Sequence, residues 1–399
     1  MFEGLKALPQ DPILGLMMKF REDTNPDKLD LGVGVYKDEQ GNTPIMESVH
    51  LAEQQLLITE STKSYIAPAG TILYNQRMRE LVFGADHVVL KEGRIASAQT
   101  PGGCGALRMA AEFIQGCNAD SAVWVSTPTW ANHIPLLGGA GVTIKEYPYY
   151  DYEQNNVQFD AMLASLEAAS AGDFLLLHGC CHNPSGADLN QEQWQAVTEL
   201  CARKGLIPFI DMAYQGLGSG LDEDAYGVRL MADTLPEMLV ATSCSKNFGL
   251  YRERTGTLFI VAGNAEQAAN AGSQLFNKIR SHYSMPPSHG AAIVETILSD
   301  TGMNQQWQEE LQAMRQRIQS LRKMLVQKIT ATGIDRDFSF IEQQFGMFSF
   351  LGITPQQVAQ LQRDYGIYIV DSSRVNVAGL NDDRMDYFVN ALVEVLRRS

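Results

Sequence analysis

Residues 190–211 read NQEQWQAVTELCARKGLIPFID, a helix followed directly by a strand. Asn190, with Gln193 three residues on, has the form of a capping box, in which each side chain accepts a backbone N–H at the helix start. Trp194, Val197, Leu200 and Cys201 then fall on one face at helical spacing. Residues 207–211 are apolar on both faces until the run meets Asp211, as a strand covered by helices on two sides requires. The alternation extends outward, with further strand-like runs at 122–127, 142–146, 174–178, 239–243 and 257–261. Strands alternating with helices predict an α/β fold built on a mostly parallel central sheet flanked by helices.

Beyond the sheet the pattern changes. Met303, Trp307, Leu311, Met314, Ile318, Leu321, Leu325 and Ile329 recur every three or four residues, a helix long enough to run between two domains. New strand-like pieces follow at 346–351 and 367–370, then a final amphipathic helix from Asp382. These predict a smaller α+β domain. The opening residues, with Pro9 and Pro12 and little periodicity, predict an extended arm.

A chain of 399 residues has room for a large and a small domain. Hydrophobic residues at 45% and charged ones at 19% exclude a disordered chain. The net charge of −15 removes the broad positive field that a nucleic acid needs, although two or three local Arg side chains can still hold a small anion. No apolar run reaches the length of a membrane span. The N-terminus has neither a signal-peptide nor a transit-peptide pattern, and the six cysteines lack disulfide spacing, which together predict a cytoplasmic protein with reduced thiols.

Four segments carry chemistry. Ser243-Cys244-Ser245-Lys246-Asn247-Phe248 follows a strand end, where ligands bind in α/β folds. A single Lys is ordinarily a solvated surface group, but Arg254 lies eight residues on, and Ser243, Ser245 and Arg254 suit a phosphate. Asp211 ends an apolar strand, where an unpaired carboxylate is costly; it suits either a helix cap or a protonated ring nitrogen, with Tyr214 three residues later. Thr100-Pro101-Gly102-Gly103-Cys104-Gly105 opens a helix and offers backbone N–H groups to an anion, or forms a plain tight turn. His178-Gly179-Cys180-Cys181-His182-Asn183-Pro184 resembles a zinc cluster only superficially. Adjacent cysteines do not readily share one tetrahedral ion, so no metal is expected, and the segment reads as a strand end delivering Asn183. Farther on, Arg374 between strand-like residues suits a carboxylate or a surface ion pair.

Together these segments resemble the aspartate and aromatic aminotransferases of fold type I, class I. The resemblance runs from Asp11-Pro12-Ile13-Leu14 through Gly32-Val33-Gly34-Val35-Tyr36-Lys37 to Arg374-Val375-Asn376-Val377-Ala378-Gly379. It implies an N-terminal arm at 1–11, a small domain from 12–43 and 314–399, and a large domain at 44–313 that binds pyridoxal 5'-phosphate. Lys246 would carry the cofactor as a Schiff base and shuttle the proton. Asp211 would face the ring nitrogen with His133 behind it, Asn183 and Tyr214 would bond the ring oxygen, and Trp130 would stack on the ring. Gly103, Cys104, Ser243, Ser245 and Arg254 would hold the phosphate, helped by Tyr65 of a neighbouring subunit. Arg374 would bind the substrate α-carboxylate, and Arg280 would cross a homodimer interface to a distal carboxylate. Val33 and Gly34 would lie over the substrate.

The implied reaction is ping-pong transamination between aromatic amino acids, or aspartate and glutamate, and 2-oxoglutarate. Aspartate-type members carry Asn, Thr and Asn at Ser64, Cys104 and Met285. Ser64 and Met285 lean toward an aromatic-tolerant pocket, Lys37 and Thr43 lean back toward a strict aspartate enzyme, and Cys104 fits neither pattern. A lyase on the same fold would lack a use for both Arg280 and Arg374. A non-catalytic relative would be expected to have lost Lys246 or Asp211.

Overall fold

The computed structural model describes residues 2–8 and 12–398. Of the expected arm, Phe2–Gly4 form a short 3-10 turn and residues 2–8 are exposed; Pro9 and Asp11 lie outside the described residues.

The chain divides into two compact units. The larger spans 44–316 and 344–346. Its sheet has seven strands: β1 (Ile95–Pro101), β2 (Ala122–Thr127), β3 (Thr143–Pro148), β4 (Phe174–His178), β5 (Ile207–Met212), β6 (Met238–Ser243) and β7 (Thr255–Val261). Their spatial order is β1-β7-β6-β5-β4-β2-β3. β7 runs antiparallel to both its neighbours, and the remaining ladders are parallel.

That register sets the site. His178 pairs with Asp211, Asp211 with Ala241 and Met212 with Thr242. The antiparallel strand then brings Gly256 beside both Ser243 and Thr100. The carboxyl ends of β1, β4, β5 and β6 therefore finish at one edge; a helix start directly after β1 carries Gly103, and the loops after β4, β5 and β6 carry Asn183, Tyr214 and Lys246. In α/β sheets this edge is where ligands bind.

Four helices matter to the site. α1 (Gly102–Cys117) packs Ala106, Leu107, Ala110, Ala111 and Ile114 into the core beneath the sheet. α2 (Gln191–Lys204) has the expected capping box at Asn190 and Gln193, and ends on Gly205 in the left-handed conformation. α3 (Ala265–His282) lies against β1. α4 (Thr301–Ala331) is the long helix, and the division between units falls within it.

The smaller unit spans 1–43, 317–343 and 347–399. Leu29–Asp30 pair in parallel with Ile367–Tyr368, and Phe348–Phe350 pair antiparallel with Arg374–Asn376. The final helix, Asp382–Arg397, buries Phe388, Leu392 and Val395 in that unit's own core.

Candidate active site

Lys246 is half-buried in a turn just past β6. Its Nζ lies 4.9 Å from the centre of the Tyr214 ring, and Tyr214 is itself buried. Burial pulls the Lys246 amine below the ordinary lysine range. Nearby Arg254 pushes the same way, while Asp211 and Cys104 oppose it. The result is an ammonium that gives up its proton more readily than a surface lysine.

Asp211 is 7% exposed at the end of β5. Burial alone would raise its carboxyl. The hydrogen bond and charge of His133, with His178 and Lys246 behind them, outweigh burial and hold it below the usual range. The contact is direct: His133 Nε2 and Asp211 Oδ2 are 3.0 Å apart. On its other side, His133 Nδ1 is 2.8 Å from Thr129 Oγ1. Trp130 meets His133 edge-on, with centroids 5.3 Å apart. A buried carboxylate kept ionised in this way suits a cationic partner.

At the start of α1, Gly102 takes φ +69°, and a Cβ there would come within 2.6 Å of Arg254 Nη2. Glycine lets the guanidinium lie over the helix N-terminus, where backbone N–H groups lack partners. Arg254 Nη1 donates to Tyr251 O at 3.0 Å and Ser245 Oγ at 3.4 Å. Ser243 lies beside Gly103, close enough that a Cβ on that glycine would meet it at 3.1 Å. Two hydroxyls, a guanidinium and a helix N-terminus converge, a donor set that suits a phosphate.

The segment after β4 does not gather into one ion site. Asp188 accepts the Cys181 and His182 backbone N–H groups at 2.6 and 2.7 Å, folding the loop that carries buried Asn183. The His182 ring is 3.1 Å from Ser126 Oγ and 2.8 Å from Ser185 Oγ, and it stacks on Tyr149. Cys180 and Cys181 group with Asp224, whereas His178 groups with His133 and Asp211. Asp224 is already occupied, accepting N–H groups from Gly216, Gly218 and Ser219.

The structure thus brings together Lys246, Asp211, Tyr214, His133, Cys104, Ser245 and Arg254, with Gly103 and Ser243 in contact and Trp130 on His133. Tyr65 is 91% exposed, and Arg280 is exposed in the last turn of α3, with Nη1 donating to Ser284 Oγ at 2.5 Å. Arg374 and Gly34 belong to the smaller unit. There Arg374 is buried, donates to Gly32 O at 2.6 Å, and lies 4.3 Å over the Phe348 ring. A Cβ on Gly34 would meet the same ring at 2.8 Å. Three contributors were not singled out from the sequence as site residues: Thr129, His178 and Trp307. Trp307 Nε1 donates to Asn247 O at 2.7 Å.

Residues 26–392 match the model of the family described as aminotransferase class I and II. The chain is 49% identical to an aspartate aminotransferase of Haemophilus influenzae, over 99% of this chain and all of that one. It is 48% identical to an aromatic-amino-acid aminotransferase of Pseudomonas aeruginosa, over 99% of this chain and 98% of that one. Among solved structures, an aromatic-amino-acid aminotransferase from Burkholderia pseudomallei, covalently bound to pyridoxal phosphate, superposes with a TM-score of 0.98 at 42% identity, covering 99% of each chain.

Proposed function

The chain belongs to the class I and II aminotransferases, and from that membership we propose that it transfers an amino group between aromatic amino acids, or aspartate and glutamate, and 2-oxoglutarate, with Lys246 carrying pyridoxal 5'-phosphate. The observation that carries this reading is the partly buried Lys246 beside Tyr214, with anionic Asp211 and cationic Arg254 both in its field.

Bound here, the cofactor supplies an electron sink for the charge left when the substrate Cα loses its proton. The chain's residues do the rest. Asp211 offers a fixed negative charge to a ring nitrogen, and His133, held by Thr129, keeps that carboxylate aimed and ionised. The N-terminus of α1 at Gly103 and Cys104, with Ser243, Ser245 and Arg254, cradles the phosphate. Asn183 and Tyr214 serve the ring oxygen, and Trp130 covers the ring. Lys246 Nζ, its basicity lowered by burial, takes the Cα proton and holds it for return. On the family resemblance, Arg374 takes the substrate α-carboxylate, and Gly34 lies over the substrate.

A homodimer with shared sites is part of the proposal. Leu57, Ile58, Tyr65 and Ile72 are all more than four-fifths exposed on the single chain, an unusual display for large apolar groups. Tyr65 and Arg280 would each serve the neighbouring subunit's site. A cytoplasmic setting is supported by six cysteines present as free thiols. No described helix is long and apolar enough to cross a membrane.

A strict aspartate enzyme is the second reading. It rests on the family resemblance of Lys37 and Thr43 to the aspartate type; identity to aspartate and aromatic relatives is nearly equal and favours neither. Borohydride reduction and peptide mapping test the core reading: phosphopyridoxyl belongs on Lys246, and label elsewhere sinks it. Comparing kcat/KM for aspartate, tyrosine and phenylalanine separates the two substrate ranges. Aromatic values thousands of times below aspartate would leave the strict reading standing.

A further inference from the structure

Cys104 stands third in α1, inside the cradle assigned to the cofactor phosphate. On one side its Sγ accepts from Asn132 Nδ2 at 3.8 Å, two residues beyond Trp130. On the other it is close enough to Lys246 to interact electrostatically. The sulfur therefore lies in the first turn of the helix that Gly102 opens to Arg254, in contact with Asn132 and within electrostatic range of Lys246. Hydroxyl-bearing residues can cap such a site without being reactive. A thiol can be modified there.

Access sharpens the point. Cys180, Cys181, Cys201 and Cys244 are buried, Cys104 is partly exposed and Cys117 is exposed. Cys117 ends the same helix, about 20 Å away by helical rise. One helix thus carries a reachable thiol inside the site and another outside it.

We propose that cofactor loading and thiol modification compete at Cys104. Without cofactor, a low-molecular-weight disulfide can reach the sulfur. Cys104 loses its proton and attacks one sulfur of the disulfide. The S–S bond breaks, a mixed disulfide forms on Cys104, and the departing half leaves as a thiolate that takes up the proton. Cys104 is oxidised and the departing half reduced, so no other oxidant is needed. The adduct fills the space the phosphate requires. A bound phosphate in turn covers the sulfur, so loaded protein resists modification. This inference rests on the proposed cofactor site.

The experiment pulses cofactor-free and cofactor-loaded protein with iodoacetamide and maps labelled peptides by mass spectrometry. With pyridoxal phosphate at about ten times its dissociation constant, labelling of Cys104 should slow by about tenfold, while Cys117 labels equally in both. Cofactor-free protein treated with oxidised glutathione should fail to gain the visible absorption of bound cofactor, and dithiothreitol should restore it. In Cys104→Ser protein, whatever its own affinity for the cofactor, uptake should be the same with and without oxidised glutathione. If Lys246 carries phosphopyridoxyl after borohydride yet Cys104 labels at the same rate in both forms, the competition is disproved and the site stands. A glutathione block that persists in Cys104→Ser also overturns it. Absence of phosphopyridoxyl from Lys246 overturns the site assignment and the competition together.

Discussion

The indole N–H of Trp307 donates to the carbonyl oxygen of Asn247 at 2.7 Å, one residue past Lys246. The same indole stacks on Phe248, centroids 4.4 Å apart and planes within 6°. Both rings are fully buried, so the turn that presents Lys246 is clamped to α4 from below.

Trp307→Phe keeps the stack and removes the donor. A buried carbonyl that loses its hydrogen bond costs about 1–3 kcal/mol, which a urea unfolding curve would register. Because the carbonyl belongs to Lys246's neighbour, kcat should also fall by about tenfold while KM changes little. Loss of stability with unchanged kcat would make Trp307 a core residue only.

Asp211 and His133 give a second prediction. Asp211→Asn preserves shape and removes the charge, so turnover should fall on the order of 10³-fold. Lys246 is untouched, so borohydride should still fix cofactor to it. His133→Asn leaves the carboxylate in place but without its 3.0 Å partner, and a smaller loss is expected. Near-normal turnover in Asp211→Asn would refute the role given to its charge.

Stability should depend on pH through His178. Burial pushes its imidazole down to about 3; His133 adds to the shift and Asp211 opposes it. An unfolded histidine titrates near 6.5, so below that pH the unfolded chain binds a proton that the folded chain refuses. Stability is therefore lost as pH falls from about 6.5 toward 3, and between pH 7 and 5 this one residue accounts for about 2 kcal/mol. Urea denaturation of His178→Gln across that interval should show a flatter slope. An unchanged slope would mean that His178 protonates within the fold.

The sheet was legible wherever its strands are aliphatic, as in β4, β5 and β6. β1, IASAQTP, was not anticipated because small and polar side chains fill it, yet six of its seven residues are buried. Its burial comes from close approach: Gly272 of α3 lies so near that a Cβ on it would meet Ala96 at 3.2 Å. No hydropathy pattern encodes a contact between residues so far apart in sequence. The same holds for Trp307, legible as part of an apolar face but not as a donor to Asn247, 60 residues away. Lys246 and Asp211 stood out because they sit at strand ends, and Arg254 because it lies eight residues from Lys246. Tyr65 and Arg280 rested on family resemblance alone, since an exposed side chain carries no pattern in the sequence that names a partner.

Arg280 offers the test of substrate range. It is exposed at the C-terminal end of α3 and bonded to Ser284, whose φ of +70° marks a tight departure from the helix. If it reaches the distal carboxylate of a dicarboxylic substrate in a neighbouring subunit, Arg280→Ala leaves that carboxylate without its partner. Truncating one member of a desolvated charge pair costs about 2–5 kcal/mol, so kcat/KM for aspartate should drop on the order of 10²- to 10³-fold. Phenylalanine lacks that carboxylate and should keep close to its original value. Arg374→Ala, by contrast, should depress both substrates, because every amino acid presents an α-carboxylate. Losses shared equally by aspartate and phenylalanine in Arg280→Ala would show that this arginine supports the fold or the dimer rather than reading the side chain. A fall confined to aspartate would tie dicarboxylate recognition to Arg280.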